Sequence, residues 1–158
     1  MKRFLTPLLL GLALLAPLPA AAQNAEADNM RILREKMMGD KKLIVAANMA
    51  LTDAESKAFW PIYDAYQAEL QKINEQLGTI IADYARMHNA GKLTDARARA
   101  LMDRYLGAEE AEVRLKRTFA KRLDKVLPGM KVTRYLQIEN KIRAIVKYEL
   151  AGEVPLAK

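Results

Sequence analysis

Between Phe59 and Met87 the apolar side chains fall at Phe59, Tyr63, Tyr66, Leu70, Ile73, Leu77, Ile80, Tyr84 and Met87, with steps alternating between four and three. A helix of 3.6 residues per turn gathers such positions into one stripe, whereas a strand would scatter them over both faces. An unbroken heptad seam wants a partner helix along its whole length. The spacing predicts a helix from about Asp53 to His88, roughly 50 Å long at ~1.5 Å per residue. That is longer than a compact domain of this size needs, so an elongated homodimer is expected. Pro61 removes a backbone donor inside the helix and predicts a kink near Trp60.

Shorter apolar patterns surround this element. Met30 to Asn48 reads as a first helix, with Ile32, Leu33, Met37 and Ile44 on its apolar side and Gly39 weakening its middle. After the turn His88-Asn89-Ala90-Gly91-Lys92, a third helix runs to Leu127, where Pro128-Gly129 stops it. Its inner side is read as Leu101, Tyr105, Ala108, Leu115, Phe119 and Val126, with Glu112 and Arg122 interrupting. A fourth helix spans about Met130 to Leu150, with Tyr135, Ile138, Ile142 and Ile145 inside. No segment alternates with period two over a useful length. The expected fold is all-α: a long antiparallel hairpin of helices two and three, flanked by two shorter helices, four in total. One helical domain is expected over residues 30–150, after a flexible stretch at 23–29 and before a tail at 151–158.

The first residues speak to compartment. Lys2 and Arg3 precede the apolar run Leu5 to Leu18, and Pro17 and Pro19 precede the small residues Ala20, Ala21 and Ala22. This is the layout of a secretory leader cleaved after Ala22, too short and too broken by proline for a bilayer anchor. About 136 residues would remain, and removing Lys2 and Arg3 from 26 basic residues leaves 24 against 19 acidic ones, a formal +5. The expected location is the periplasm, where anionic partners are acidic polypeptides, lipid headgroups and envelope polymers, not nucleic acid. With no cysteine in the chain, disulfides and a lipidated cysteine are excluded.

One tetrapeptide occurs twice, as Leu51-Thr52-Asp53-Ala54 and Leu93-Thr94-Asp95-Ala96, each time just before a long helix. Thr52 and Glu55 fit a reciprocal capping box, in which the threonine oxygen accepts from the Glu55 N–H and the glutamate reaches back. The second copy has Arg97 in place of an acid, so Thr94 caps alone. This doubled Leu-Thr helix start, with leader, first helix, two capped long helices and a final helix, resembles the Spy/CpxP family of periplasmic proteins. The likeness covers nearly all of the mature chain. Glu55 and Arg97 stand where the family's Leu-Thr-x-x-Gln motif has glutamine, the mark of a distant member. The resemblance implies ATP-independent chaperone activity on unfolded polypeptides, a cradle-like dimer, or inhibition of a stress-sensing kinase. Some relatives bind metals.

Catalytic chemistry has little to draw on. Ser56 and His88, the sole serine and histidine, fall at opposite ends of one long helix, which forbids a Ser-His-acid arrangement within one chain. Glu109 and Glu110 are adjacent on a helix and point apart. One histidine with Met37, Met38 and Met87 falls short of the three or four ligands a zinc site takes; thioethers suit Cu(I) but more often fill cores. No enzyme activity, metal or cofactor is expected. In Tyr135 to Asn140, Gln137 and Asn140 either bridge helices or face a partner.

Charge is the strongest remaining pattern. Arg114, Lys116, Arg117, Lys121, Arg122, Lys125, Lys131 and Arg134 are opposed over that span only by Asp124. They form either a solvated face favoured by a helix C-terminus, or a client surface interleaved with Leu115, Phe119 and Leu123. A client surface of this kind would attract acidic, partly unfolded chains and hold them by adaptable apolar contacts. The expected function is an ATP-independent, chaperone-like binder of stress-exposed polypeptides. The alternative is a regulatory adaptor docking on the sensor domain of a two-component kinase, with a metal-sensing or metal-storage role behind both.

Overall fold

The computed structural model describes residues 41–157. The expected leader, the stretch at 23–29, Gly39, Met37-Met38 and the first part of helix one lie outside these residues. Four helices are described: α1 over residues 41–49, α2 Asp53–Asn89, α3 Asp95–Leu123 and α4 Gly129–Glu153, all within one unit, Asp40–Lys158. Among the described residues there is no strand. The fold is all-α, as the periodicity predicts.

The seam of α2 is buried from Phe59 through Ile80, with Tyr84 and Met87 half-buried. The helix runs unbroken through Pro61. Its start carries both halves of the capping box: the Glu55 N–H donates to Thr52 Oγ1 (3.3 Å) and the Thr52 N–H donates to Glu55 Oε2 (2.8 Å). At its end the Gly91 N–H donates to His88 O (3.0 Å) and the Lys92 N–H to Met87 O (2.9 Å). This helix-ending motif needs a left-handed residue, supplied by Gly91 at φ 62°. The chain then reverses into α3, capped by Thr94, whose Oγ1 accepts from the Arg97 N–H (3.4 Å). Arg97 serves the turn otherwise, donating to Lys92 O (2.7 Å).

Helix α3 ends at Leu123, four residues short of the expected Leu127. The Leu127 N–H still donates to Leu123 O (2.9 Å), but Lys125 and Val126 bond three residues back, and residues 124–127 form turns that tuck Leu127 into the core. The inner side of α3 also differs: Leu101, Ala108, Glu112, Phe119 and Leu123 are buried, Leu115 and Val126 half-buried, and Tyr105 is exposed. On α4 the buried residues are Val132, Tyr135, Glu139 and Ile142, while Ile138 is half-buried and Ile145 exposed. Helix α4 reaches Glu153, three residues beyond expectation, and Tyr84 Oη donates to Pro155 O (2.7 Å) in the tail.

Contacts give the directions. Tyr135, Glu139 and Arg143 of α4 meet Tyr63, Gln67 and Asn74 of α2 in the same order, so α4 runs parallel to α2 and antiparallel to α3. Lys41 reaches Gln67 and Glu139, while Asn48 and Ala50 meet Arg134 and Lys131, so α1 runs against α2 and α4. The Cα atoms of α2 and α4 stay more than 8 Å apart. Large side chains fill that gap: the Tyr135 ring lies edge-on to Phe59, Tyr63 and Tyr66 at centroid distances of 5.2, 6.1 and 6.2 Å. Such aromatic pairs add about 0.5–1.5 kcal/mol each beyond the area they bury. The main core joins this cluster to Val45, Met49, Phe119, Leu123 and Leu127; a second, smaller one holds Ile73, Leu77 and Ala108.

Candidate functional site

Nine residues were candidates for a client surface, and the structure separates them. Phe119 is 4% exposed and packs edge-on against Tyr66 at 5.3 Å, so it belongs to the core and offers nothing to a client. Leu123, read beside it as a surface apolar residue, is also buried. The error is one of phase. The basic residues between these apolar ones point outward, while Phe119 and Leu123, one helical turn apart, point inward with Glu112 and Ala108.

The cations divide as well. Lys116 is half-buried and pairs with Glu112 Oε1 (2.6 Å). Lys131 and Arg134 are fasteners: Lys131 Nζ donates to Ala50 O (3.0 Å) and pairs with Glu55, and Arg134 Nε donates to Asn48 O (2.5 Å). Both thus supply positive charge to the C-terminal carbonyls of α1, where the helix dipole favours it. They border a shallow cavity of about 290 Å³ with Met49, Met130 and Gln137. Arg114 pairs with Glu110 (3.2 Å), and the Arg122 guanidinium lies 4.6 Å above the Phe119 ring, covering the core from outside. Arg117, Lys121 and Lys125 are exposed, and among the described residues their side chains make no hydrogen bond or ion pair. These three, with Arg114 and Arg122 beside them, form an exposed cationic face. Of the helix-start residues, Leu51 and Leu93 are half-buried, and Leu51 packs on the main core.

Two carboxylates that look like interruptions in the pattern are buried and paired. Glu112, 3% exposed, accepts from Lys116 and Arg143; Arg143 also donates to Asn74 Oδ1 (2.6 Å), so one side chain ties α4 to both α2 and α3. Burial pushes the Glu112 carboxyl upward, but the Lys116 bond and the charges of Arg143, Lys116 and Lys147 outweigh it and hold the group below its ordinary range. Glu139, equally buried, accepts from Lys41 Nζ (2.8 Å), Gln67 Nε2 (2.9 Å) and Tyr135 Oη (3.1 Å). Glu55 is also held low, by its bond from Lys131 and then by the Thr52 N–H.

Sequence reasoning missed a surface feature. Met102, Leu106 and Val113 are 56%, 51% and 49% exposed on α3. Their spacing of four and seven puts them on one stripe, and Arg117 and Lys121 continue it at four and four. The signal was present, but the competing inner stripe of the same helix absorbed the apolar count. The other candidates fare plainly. Ser56 Oγ accepts from Trp60 Nε1 (2.9 Å), and His88 stacks on Tyr84 with centroids 5.7 Å apart. Gln137 and Asn140 are exposed. Among the described residues no three His, Asp or Glu side chains converge as metal ligands would, and no helix is long and apolar enough to cross a membrane.

Fold and site together define a class: an all-α helical bundle that presents one cationic helix face beside an exposed apolar stripe. Compared with protein-family models, curated protein sequences and solved structures, the chain matches none.

Proposed function

We propose that this is an exported, non-enzymatic, chaperone-like protein that binds acidic, partly unfolded polypeptides on the outer face of α3 and releases them without nucleotide. The observation that carries this reading is the set Arg117, Lys121 and Lys125: exposed cations with no partner among the described residues, on a chain where Lys116, Lys131 and Arg134 are engaged in holding the fold. Unpaired surface charge of one sign raises the local concentration of oppositely charged chains and speeds their capture. The secretory layout of the first residues and the doubled Leu-Thr helix start, with its resemblance to the Spy/CpxP family, support the location and the client class.

Suppression of aggregation tests it, using one acidic and one basic client at low and high salt. The triple variant Arg117→Glu/Lys121→Glu/Lys125→Glu is expected to lose protection of the acidic client while keeping its helicity. Wild-type protection of that client should weaken as salt shortens screening toward ~8 Å at physiological ionic strength. Full protection by the triple variant would return these residues to the role of a solvated face. Protection of no client, with one-to-one binding to a single kinase sensor domain, would mark a regulatory adaptor instead.

A further inference from the structure

Along α3 the exposed stripe changes character in one direction. Its first part carries the apolar Met102, Leu106 and Val113, with Arg99 at the head of the same spacing and Glu109 between Leu106 and Val113, and its second is cationic, Arg117 and Lys121, with Lys125 in the turn just beyond. At ~1.5 Å per residue the apolar part extends roughly 16 Å, and the cations begin about 6 Å further on. Three acids lie along the apolar part. Glu110 is paired with Arg114 and Glu109 with Lys147, while Asp103 is exposed and has no partner among the described residues, so it repels a second carboxylate.

We infer that this stripe reads block order in its clients: it takes polypeptide segments in which a run of apolar residues adjoins a run of acidic ones, in preference to segments of the same composition with the two mixed. The inference rests on the proposed client-binding role and deepens it. An extended chain rises ~3.3 Å per residue, so about five apolar residues span Met102 to Val113, and the acidic residues that follow meet Arg117, Lys121 and Lys125. A mixed segment cannot satisfy both halves. Each carboxylate set between Met102 and Val113 loses water beside Asp103, Glu109 and Glu110, where the one cation, Arg104, is already paired with Asp83, and each apolar side chain set over the basic part gains little. Side chains alone make these contacts, so the segment's chain direction is free and only the adjacency of blocks matters. A bilayer, by contrast, would engage apolar and basic residues wherever they shared a plane and would not sense order.

The test is fluorescence anisotropy of the full chain with two labelled peptides of equal composition: one with five leucine or valine residues followed by four glutamates, the other with these residues alternating. The block peptide is expected to bind about tenfold more tightly, the ratio that withholding roughly 55 Å² of apolar surface accounts for. Met102→Gln/Leu106→Gln/Val113→Gln should abolish the preference, with residual binding of both peptides to the cations. Arg117→Glu/Lys121→Glu should weaken both peptides. These five positions are exposed, and helicity by circular dichroism keeps the variants interpretable. Equal affinity for the two peptides, or a preference that survives the glutamine variant, overturns the inference; if the charge reversals still weaken binding, the broader client-binding role stands. Charge reversals without effect sink both. Binding to phosphatidylglycerol vesicles with none to either peptide would overturn the inference in favour of a membrane surface.

Discussion

Ala50 is the one non-glycine residue among those described with positive φ, at 47°, where α1 ends. An L-residue in the left-handed region costs roughly 1–2 kcal/mol, and glycine avoids that cost while giving back some entropy to the unfolded chain. Ala50→Gly is therefore expected to raise stability by about 0.5–1 kcal/mol in denaturant melts. The two threonine caps make a second residue-scale prediction. Thr52→Ala should cost about 1 kcal/mol, since it removes one side of a reciprocal pair. Thr94→Ala should cost less, because Arg97 has turned to Lys92 O and returns nothing to the cap. Equal losses in the same melts would show that the reciprocal bond adds nothing. The difference between the two copies was legible in the sequence, through Glu55 against Arg97. The strain at Ala50 was not, because alanine carries no mark of the backbone region it will occupy.

Helices α2 and α3 show what periodicity reveals and where it misleads. The seam of α2 was readable residue by residue because every apolar member from Phe59 to Ile80 faces inward. On α3 and α4 the inner stripe includes Glu112 and Glu139, and the apolar pattern then drifts: Tyr105 and Ile145 were read as inner and are exposed. A buried carboxylate looks like an interruption until its partners are known, and those come from other helices, Lys41 from α1 and Arg143 from α4. Glu139→Leu strands the Lys41 ammonium, 9% exposed, and is expected to cost about 3 kcal/mol or more. Adding Lys41→Met should recover most of that loss. A double variant as unstable as the single would show that the Gln67 and Tyr135 bonds, not the ion pair, set the cost. The proposed client surface was half legible for the same reason: the sequence showed the cations, but only packing showed that Phe119 turns inward and that Met102, Leu106 and Val113 turn outward.

At the scale of the molecule, the seam that suggested a second copy is covered from Phe59 to Ile80 by the chain's own helices, so a dimer is no longer required to bury it. Ionisable groups set a stability window. Glu55, Glu112 and Asp83 are held below their ordinary values by bonds and charges from Lys131, from Lys116 with Arg143, and from Arg104. A depressed carboxyl stabilises the fold above its unfolded value and loses that contribution as pH falls through the folded one. Stability should thus hold near neutrality and decline below about pH 4.5, the ordinary glutamate value. Glu112→Gln should flatten part of that acid limb in urea melts. Burial raises Tyr63, Tyr66 and Tyr135 well above the ordinary 10.0. A raised group keeps its contribution below its unfolded value and loses it at higher pH. Phenolate absorbance from these three rings should therefore appear only together with loss of the helical signal.

The last carbonyls of α1 are held by Lys131 and Arg134, and its one buried ammonium by Glu139, partners that lie 81, 86 and 98 residues downstream. A chain that leaves a ribosome or a translocon N-terminus first therefore exposes residues 41–49 long before their anchors arrive. The hairpin of α2 and α3 needs only its own turn to close, so it can form first. Val45 and Met49, which share their core with residues of both α2 and α4, reach full burial only once α4 has docked, and that closure spans the longest loop of the three contacts. The beginning of the described fold is thus completed by its end, and a chain released early, without α4, would leave the aromatic cluster of α2 uncapped.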